Sequence, residues 1–165
     1  MALSNEQLLE YSGEHVYYEV EMFLWLSEIF RGLASPRNAQ EKVVKNALIE
    51  SFAIHVRNLI AFFYPGRVEA DDVVAEHFVD DPERWRRLLP PLSENLRRAR
   101  ERAHKEVAHL TTARIAGAPP EKAWPAPELK EEMLGILRLF VENASPGRLH
   151  QRVITIVRNA SRATS

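Results

Sequence analysis

The sequence predicts an all-α fold, organised as a four- to five-helix antiparallel up-and-down bundle. Apolar residues in every long apolar segment recur with a period near 3.6, and none of these segments shows the alternation typical of a strand. The chain has only 6 glycines, and its 45% hydrophobic and 27% charged residues are typical of an ordered globule. A length of 165 residues fits a single helical domain over residues 1–165 with one core.

The first predicted helix starts close to the N-terminus. Ser4 and Gln7 have the spacing of a capping box, and apolar residues recur at helical spacing from there to about Arg31. The helix is expected to end near Gly32, because the Ser-Pro sequence at 35–36 prevents its continuation.

A second helix is predicted from about Asn38 to the Tyr-Pro-Gly sequence at 64–66. It is apolar over most of its circumference, which is typical of a helix in the middle of a bundle. Polar residues inside such a helix need partners, so His55, Arg57 and Asn58 are candidates for a functional or structural polar cluster.

The acidic segment 67–80 shows no convincing period and is predicted to be a structured connection with one short turn. We expect it to be ordered against the bundle, because several of its side chains are too apolar to remain wholly in water. These side chains are Val68, Val73, Val74, Phe78 and Val79.

A third helix is predicted to begin with Asp81 as the N-cap and Pro82 as its first residue. The sequence LPPLSEN at 89–95 must kink or restart this helix, and Ser93 is a second candidate cap. The basic stretch that follows is expected to be helical to about Thr112.

The last third of the sequence contains a proline-rich loop at 116–127 and an amphipathic helix at 128–143. Residues 144–165 are predicted to form either a short C-terminal helix or a frayed basic tail. No internal repeat is visible, and the ambiguous stretch RVITIV is too short to change the fold class.

Composition restricts the possible functions. The 22 Lys and Arg residues nearly balance 23 Asp and Glu residues, so no global positive field draws the molecule to nucleic acid or to an anionic membrane. Any phosphate-binding site must therefore be local. The absence of cysteine excludes disulfides and thiolate chemistry. We expect a soluble, cytoplasmic protein, since neither a leader-like N-terminus nor a run of about 18 apolar residues is found.

The stretch RARERAHKEVAHLTTAR, residues 98–114, concentrates base, acid and hydroxyl groups. Arg102 and His109 are seven positions apart, which on an α-helix returns them to one face about 10 Å apart. An arginine can hold phosphate oxygens and a histidine can transfer a proton, as metal-independent RNA cleavage through the 2′-hydroxyl requires. The alternative is structural: Arg102 and Glu106 form an ion pair at i, i+4, and His109 packs beside the core.

A metal or cofactor site is not expected. His104 and His109 are five positions apart, which turns the second histidine about 140° away from the first, whereas the zinc-protease motif needs four positions. Glycine-rich phosphate loops and serine-nucleophile motifs are also absent.

Two interpretations of His55, Arg57 and Asn58 remain open. They form an internal hydrogen-bond network between helices, or Arg57 or His55 joins Arg102 and His109 in one pocket. On the second interpretation all three residues bind phosphate or substrate, together with His104 and Lys105 of the basic stretch.

The sequence RAHKEVAH at 102–109 satisfies the R-x4-6-H motif of the HEPN (higher eukaryotes and prokaryotes nucleotide-binding) superfamily. With ESFAIHVRNLIAFFY before it, the chain resembles uncharacterised bacterial HEPN-like proteins over roughly residues 40–115. The resemblance implies a helical bundle that acts as a homodimer and cleaves RNA without metal, with Arg102 on the scissile phosphate and His109 as general base or acid. Ala103 departs from the pattern, since the family often has a polar residue there, and many members only bind.

The sequence therefore leaves two classes of function open. The chain is a HEPN-like protein that binds or cleaves RNA or a nucleotide, or it is a non-catalytic interaction module of the antitoxin or partner-binding type. Exposure discriminates between them: a shared open cleft at Arg102 and His109 favours the first, and saturation of both side chains within the chain favours the second.

Overall fold

The computed structural model describes residues 3–107 and 123–163, and of residues 106 and 107 the backbone only. The described part is all-α and contains no strand, which confirms the predicted fold class. In chain order its elements are α1 (Asn5–Tyr11), a π-helical turn (Ser12–Val16), α2 (Tyr17–Gly32), α3 (Ala39–Phe63), a 3-10 turn (Ala75–Phe78), α4 (Pro82–Leu88), α5 (Glu94–Arg102), a second π-helical turn (Ala103–Val107), α6 (Ala126–Asn143) and α7 (Gln151–Arg162).

The helix starts follow local capping signals. Ser4 and Gln7 form the predicted capping box, with the Gln7 amide 3.2 Å from the Ser4 hydroxyl. Asp81 accepts from the Arg84 amide at 2.8 Å, and Ser93 caps α5. The LPPLSEN sequence thus restarts the helix instead of kinking it, because α4 ends at Leu88.

The first predicted helix is continuous but contains the π-helical turn at Ser12–Val16. Gly13 lies in this turn against the His150 ring: a Cβ atom there would come within 2.9 to 3.3 Å of three atoms of that side chain. The turn therefore fits because residue 13 has no side chain. His150 caps α7, so the close approach fixes the last helix against the first.

The C-terminal segment forms a helix, α7, which resolves the alternative of a helix or a frayed tail. Gly147 adopts φ of 83° in the turn between α6 and α7, a left-handed conformation that glycine tolerates without steric cost. Val153 and Val157 bury the inner face of α7. The hydroxyl of Ser12 accepts a hydrogen bond from the His150 amide at 2.8 Å, which holds the turn against the first helix.

The core is rich in aromatic rings where α3 ends. The ring of Phe140, on α6, lies at the centre of this cluster. Four other rings have their centres between 5.4 and 5.9 Å from the centre of the Phe140 ring: Phe62 and Phe63 of α3, Phe78 of the 3-10 turn and Trp85 of α4. This cluster joins four elements of the fold.

The position of α3 differs from the prediction. Its C-terminal part is buried, but residues 39–51 are exposed or only partly buried, with Val43 67% and Val44 55% exposed. The prediction that α3 lies wholly in the middle of the bundle is therefore wrong for residues 39–51. Hydrophobic character alone does not distinguish a core helix from one with an apolar face in solvent.

Segment 67–80 packs on the bundle, as its apolar content predicted. Val74, Phe78 and Val79 are buried, whereas Val68 remains 46% exposed. The Phe78 carbonyl accepts from the Ser145 amide at 2.7 Å, so backbone hydrogen bonding also anchors the segment to the turn after α6.

A buried lysine connects α2 to α6. The Lys130 side chain is 7% exposed, and its ammonium group binds the Glu28 carboxylate, which Arg31 approaches at 3.6 Å. A buried ammonium group without a partner lowers the stability of a protein. Because Lys130 is buried, it needs this ion pair with Glu28.

The Glu28–Lys130 pair predicts a pH dependence of stability. The hydrogen bond from Lys130 lowers the pKa of Glu28 from its ordinary value of 4.5. A carboxylate with a lowered folded-state pKa contributes stability above 4.5, and this contribution is lost as pH falls through the folded-state pKa. We expect wild-type protein to lose more unfolding free energy below pH 4.5 than Glu28→Gln, measured by urea unfolding. Equal losses in both proteins would contradict the prediction.

Within residues 3–107 and 123–163, no helix is long and apolar enough to cross a membrane.

Candidate functional site

Arg102 lies at the C-terminal end of α5, half-buried. Leu96, Ala99 and Ala103 form the buried stripe of this segment, and Arg102 lies at its edge. Its guanidinium carbon lies 4.4 Å from the centre of the Trp124 ring, and Nη1 donates to the Ala123 carbonyl at 3.2 Å. A cation–π contact and a hydrogen bond therefore hold this arginine in a defined position.

The residues after Arg102 form the second π-helical turn. Ala103 is buried, whereas His104 and Lys105 are exposed. The i→i+5 bonding of a π-helix widens the turn, so the α-helical spacing used to place Arg102 and His109 on one face does not apply across it. His109, Thr112 and the loop 116–122 lie outside the described residues.

Carboxylates neutralise the start of the basic stretch. Arg97 pairs with Glu94 and, at 2.9 Å, with Glu101, while Arg98 pairs with Glu94 at 2.7 Å. These i, i+3 and i, i+4 pairs lie on an exposed face of α5, where such pairs contribute little to stability. Arg97 and Arg98 are therefore neutralised by carboxylates of their own helix.

His55 and Asn58 form a polar cluster with Glu19 of α2. Nδ1 of His55 lies 2.7 Å from one Glu19 oxygen, and the Asn58 amide donates to the other at 3.1 Å. His55 is only 5% exposed, and the ring of Tyr18 meets it edge-on at 5.3 Å. Arg57, between these two residues, points outward and is exposed.

Glu19 was missed in the sequence. A signal was available: Val16 and Phe23, three positions before it and four after it, are both apolar, which places Glu19 on the inner face of the first helix. A carboxylate in that position needs a partner, and an imidazole and an amide on the neighbouring helix supply it. The cluster has the form of the internal network that the sequence left open.

The cluster borders a cavity of about 470 Å³ between the start of the first helix, the end of α3 and residues 65–74. Of the candidate residues from the sequence, Asn58 is in its lining, next to Glu19. Burial raises the pKa of Tyr11 in the wall, and the charges of Glu19 and Asp72 raise it further. The cavity lining thus includes the carboxylates of Glu19, Asp71 and Asp72 as well as Arg67, and it contains neither Arg102 nor His55.

No three His, Asp or Glu side chains in residues 3–107 and 123–163 are grouped closely enough to hold a metal ion.

Glu19→Ala is expected to lower the unfolding free energy by about 1–3 kcal/mol, because it leaves His55 without a partner inside the protein. Urea unfolding at neutral pH measures the effect. Glu14→Ala, one turn earlier on the exposed face, is the matched control and should change stability little. Similar losses in both variants would show that the Glu19 contacts contribute nothing specific.

Comparison with known proteins gives no relative: no family model, no curated protein and no solved structure matches the chain.

Proposed function

We propose that the chain is a HEPN-like helical protein that binds RNA or a nucleotide at the end of α5 and, as a cytoplasmic homodimer, cleaves RNA without metal. The supporting observation is the position of Arg102, held on Trp124 with the exposed His104 and Lys105 on the adjoining turn. A fixed guanidinium group with a lysine on the adjoining turn suits an RNA phosphate, since the guanidinium forks onto two oxygens without first being ordered.

In this proposal Arg102 binds the scissile phosphate and His109 transfers the proton. His109 accepts the proton of the 2′-hydroxyl, or donates one to the leaving 5′-oxygen. The 2′-oxygen forms a bond to phosphorus as the bond from phosphorus to the 5′-oxygen breaks. The products are a 2′,3′-cyclic phosphate and a 5′-hydroxyl, and Arg102 stabilises the charge that develops on the phosphate oxygens.

Arg102→Lys tests the binding role. We expect the affinity for labelled single-stranded RNA in EDTA to fall about tenfold, because a point charge does not reproduce the bidentate contact. Fluorescence anisotropy at fixed, low salt measures it, since phosphate contacts are salt-dependent. Arg84→Lys, an exposed arginine on α4, is the matched control. Unchanged binding by Arg102→Lys, or no binding by the wild type, would contradict the proposal.

A second candidate function is a non-catalytic interaction module of the antitoxin or partner-binding type. Its supporting observation is that the candidate side chains connect parts of the chain: Arg102 ties α5 to residues 123–124, and His55 and Asn58 tie α3 to α2. For such a module, Arg102→Ala lowers stability, and the wild type shows no affinity for RNA.

A further inference from the structure

A groove of about 220 Å³ lies between α6 and α7. Three exposed arginines line it, and we name it the arginine groove: Arg138 of α6, and Arg158 and Arg162 of α7. The carboxylate of Glu142 also lines the groove. Three guanidinium groups and one carboxylate give the lining a net charge of +2. The groove is therefore positively charged in a chain whose overall net charge is -1.

The arginines of this groove are not neutralised by contacts within the described part of the chain. There, no ion pair or hydrogen bond is made by the side chains of Arg138, Glu142, Arg158 and Arg162. Arg138 and Glu142 have the i, i+4 spacing at which a pair can form, but they do not pair. Arg158 and Arg162 have the same spacing, and like charges at this spacing slightly destabilise a helix. Packing thus gives no reason for this concentration of positive charge, whereas an external anion does.

The arginine groove belongs to the most basic segment of the chain. Residues 144–165 contain four arginines and no acidic residue. Two of the four are held by contacts within the chain: Arg148 donates to a backbone carbonyl at 2.8 Å, and the guanidinium carbon of Arg152 lies 3.9 Å from the centre of a tyrosine ring. Arg158 and Arg162 are the two that face the groove.

We propose that the arginine groove binds the phosphate backbone of single-stranded RNA. The inference rests on the proposed function and adds to it a second contact region, separate from the end of α5. Guanidinium groups fork onto phosphate oxygens, and three of them around one groove can hold neighbouring phosphates of a strand. Phosphate contacts carry no sequence information, so the groove anchors and orients the strand whatever its bases are.

The arginine groove lies well away from Arg102. Arg102 contacts Trp124, two residues before α6 begins at Ala126. Arg138 lies twelve residues after Ala126, which is about 18 Å along the helix axis. At about 3.4 Å per nucleotide of a stacked strand, an RNA that reaches both regions needs at least about five nucleotides. The affinity for RNA should therefore rise with length once the strand can reach the groove.

RNA is a better match for this groove than an acidic segment of a protein. A carboxylate can also accept the fork of a guanidinium group, so geometry alone does not separate the two ligands. A single RNA strand, however, accounts for the arginine groove and for the cations at the end of α5 with one ligand, whereas an acidic segment accounts only for the groove.

Fluorescence anisotropy of the full chain in EDTA tests the proposal. The probes are labelled oligouridylates of about 12 and about 3 nucleotides. Their 2′-O-methyl groups prevent cleavage through the 2′-hydroxyl. We expect Arg158→Gln/Arg162→Gln to bind the longer probe at least about tenfold more weakly than the wild type, and to lose most of the advantage of the longer probe over the shorter one. The slope of log affinity against log salt should fall by about 1, because each phosphate contact with a single strand contributes about 0.7.

The matched control is Arg84→Gln/Arg87→Gln, which removes the same charge from two exposed positions on α4 and should bind both probes as the wild type does. Circular dichroism checks that each variant is folded. Glu142→Gln should bind the longer probe more tightly, because it removes a carboxylate from the groove. Weaker binding by Glu142→Gln, or equal losses in the two double variants, would contradict the proposal.

The outcomes separate this inference from the proposed site. If Arg102→Lys weakens binding and Arg158→Gln/Arg162→Gln binds as the wild type does, the groove is excluded and the site at α5 stands. The reverse result would support the groove and contradict the site. A wild type that binds neither probe would overturn both. Tighter binding of a labelled oligoglutamate than of the longer RNA would assign the groove to an acidic protein segment and overturn the proposal.

Discussion

Phe140→Ala should lower the free energy of unfolding by about 3–5 kcal/mol, the largest stability effect expected in this protein. Phe140 is fully buried and its ring contacts those of Phe62, Phe63, Phe78 and Trp85. Truncation removes the one ring that touches all four others and leaves a cavity where four elements meet. Since a domain of this size is stable by only about 5–15 kcal/mol, the variant should melt at a much lower temperature.

Urea unfolding of Phe140→Ala and Val43→Ala separates this effect from the general cost of removing an apolar side chain. Val43 is 67% exposed on α3, so its truncation should change the unfolding free energy by no more than about 0.5 kcal/mol. Similar small losses for both variants would show that the aromatic cluster does not form the centre of the core.

His109→Ala should reduce metal-independent RNA cleavage by about 100-fold or more, because a proton-transfer group contributes at least that factor to the rate. Its melting temperature should stay close to that of the wild type, since a side chain open to substrate contributes little to packing. Cleavage of labelled RNA in EDTA and thermal melting are measured on the same preparation. His77→Ala, an exposed histidine on the 3-10 turn, is the control for loss of an imidazole.

The structural alternative predicts a different result for His109→Ala. If His109 connects helices, its removal should cost about 1–3 kcal/mol of stability by leaving its partner unsatisfied. A large loss of stability in a protein that never cleaved RNA would exclude the ribonuclease function and leave the interaction module.

Local sequence signals predicted the limits of the helices well. Ser4, Asp81 and Ser93 cap helices as expected, because a cap depends on a side chain and an amide only two or three residues away. Asn38, near which the second helix was predicted to begin, caps α3. The two π-helical turns were not predictable in this way. The turn at Ser12–Val16 depends on the close approach of Gly13 to a residue more than a hundred positions away, which no local pattern records.

The candidate site was predicted only in part. His55 and Asn58 were singled out because they lie on an apolar helix, and the structure places both on Glu19. The contact of Arg102 with the indole of Trp124 was not predicted, because Trp124 lies within the proline-rich loop predicted at 116–127, and that sequence has no periodic signal. The exposure of α3 was missed for a related reason: an apolar face has the same pattern whether it contacts the core or a second molecule.

Analysis of the RNA products formed by wild-type protein in EDTA tests the proposed function most directly. We expect single-stranded RNA to be cut to fragments with 2′,3′-cyclic phosphate and 5′-hydroxyl ends. A substrate with 2′-deoxy sugars should remain intact, because the attacking hydroxyl is missing. RNA that stays uncut in EDTA, or fragments that carry 5′-phosphate ends, would contradict the proposed ribonuclease function.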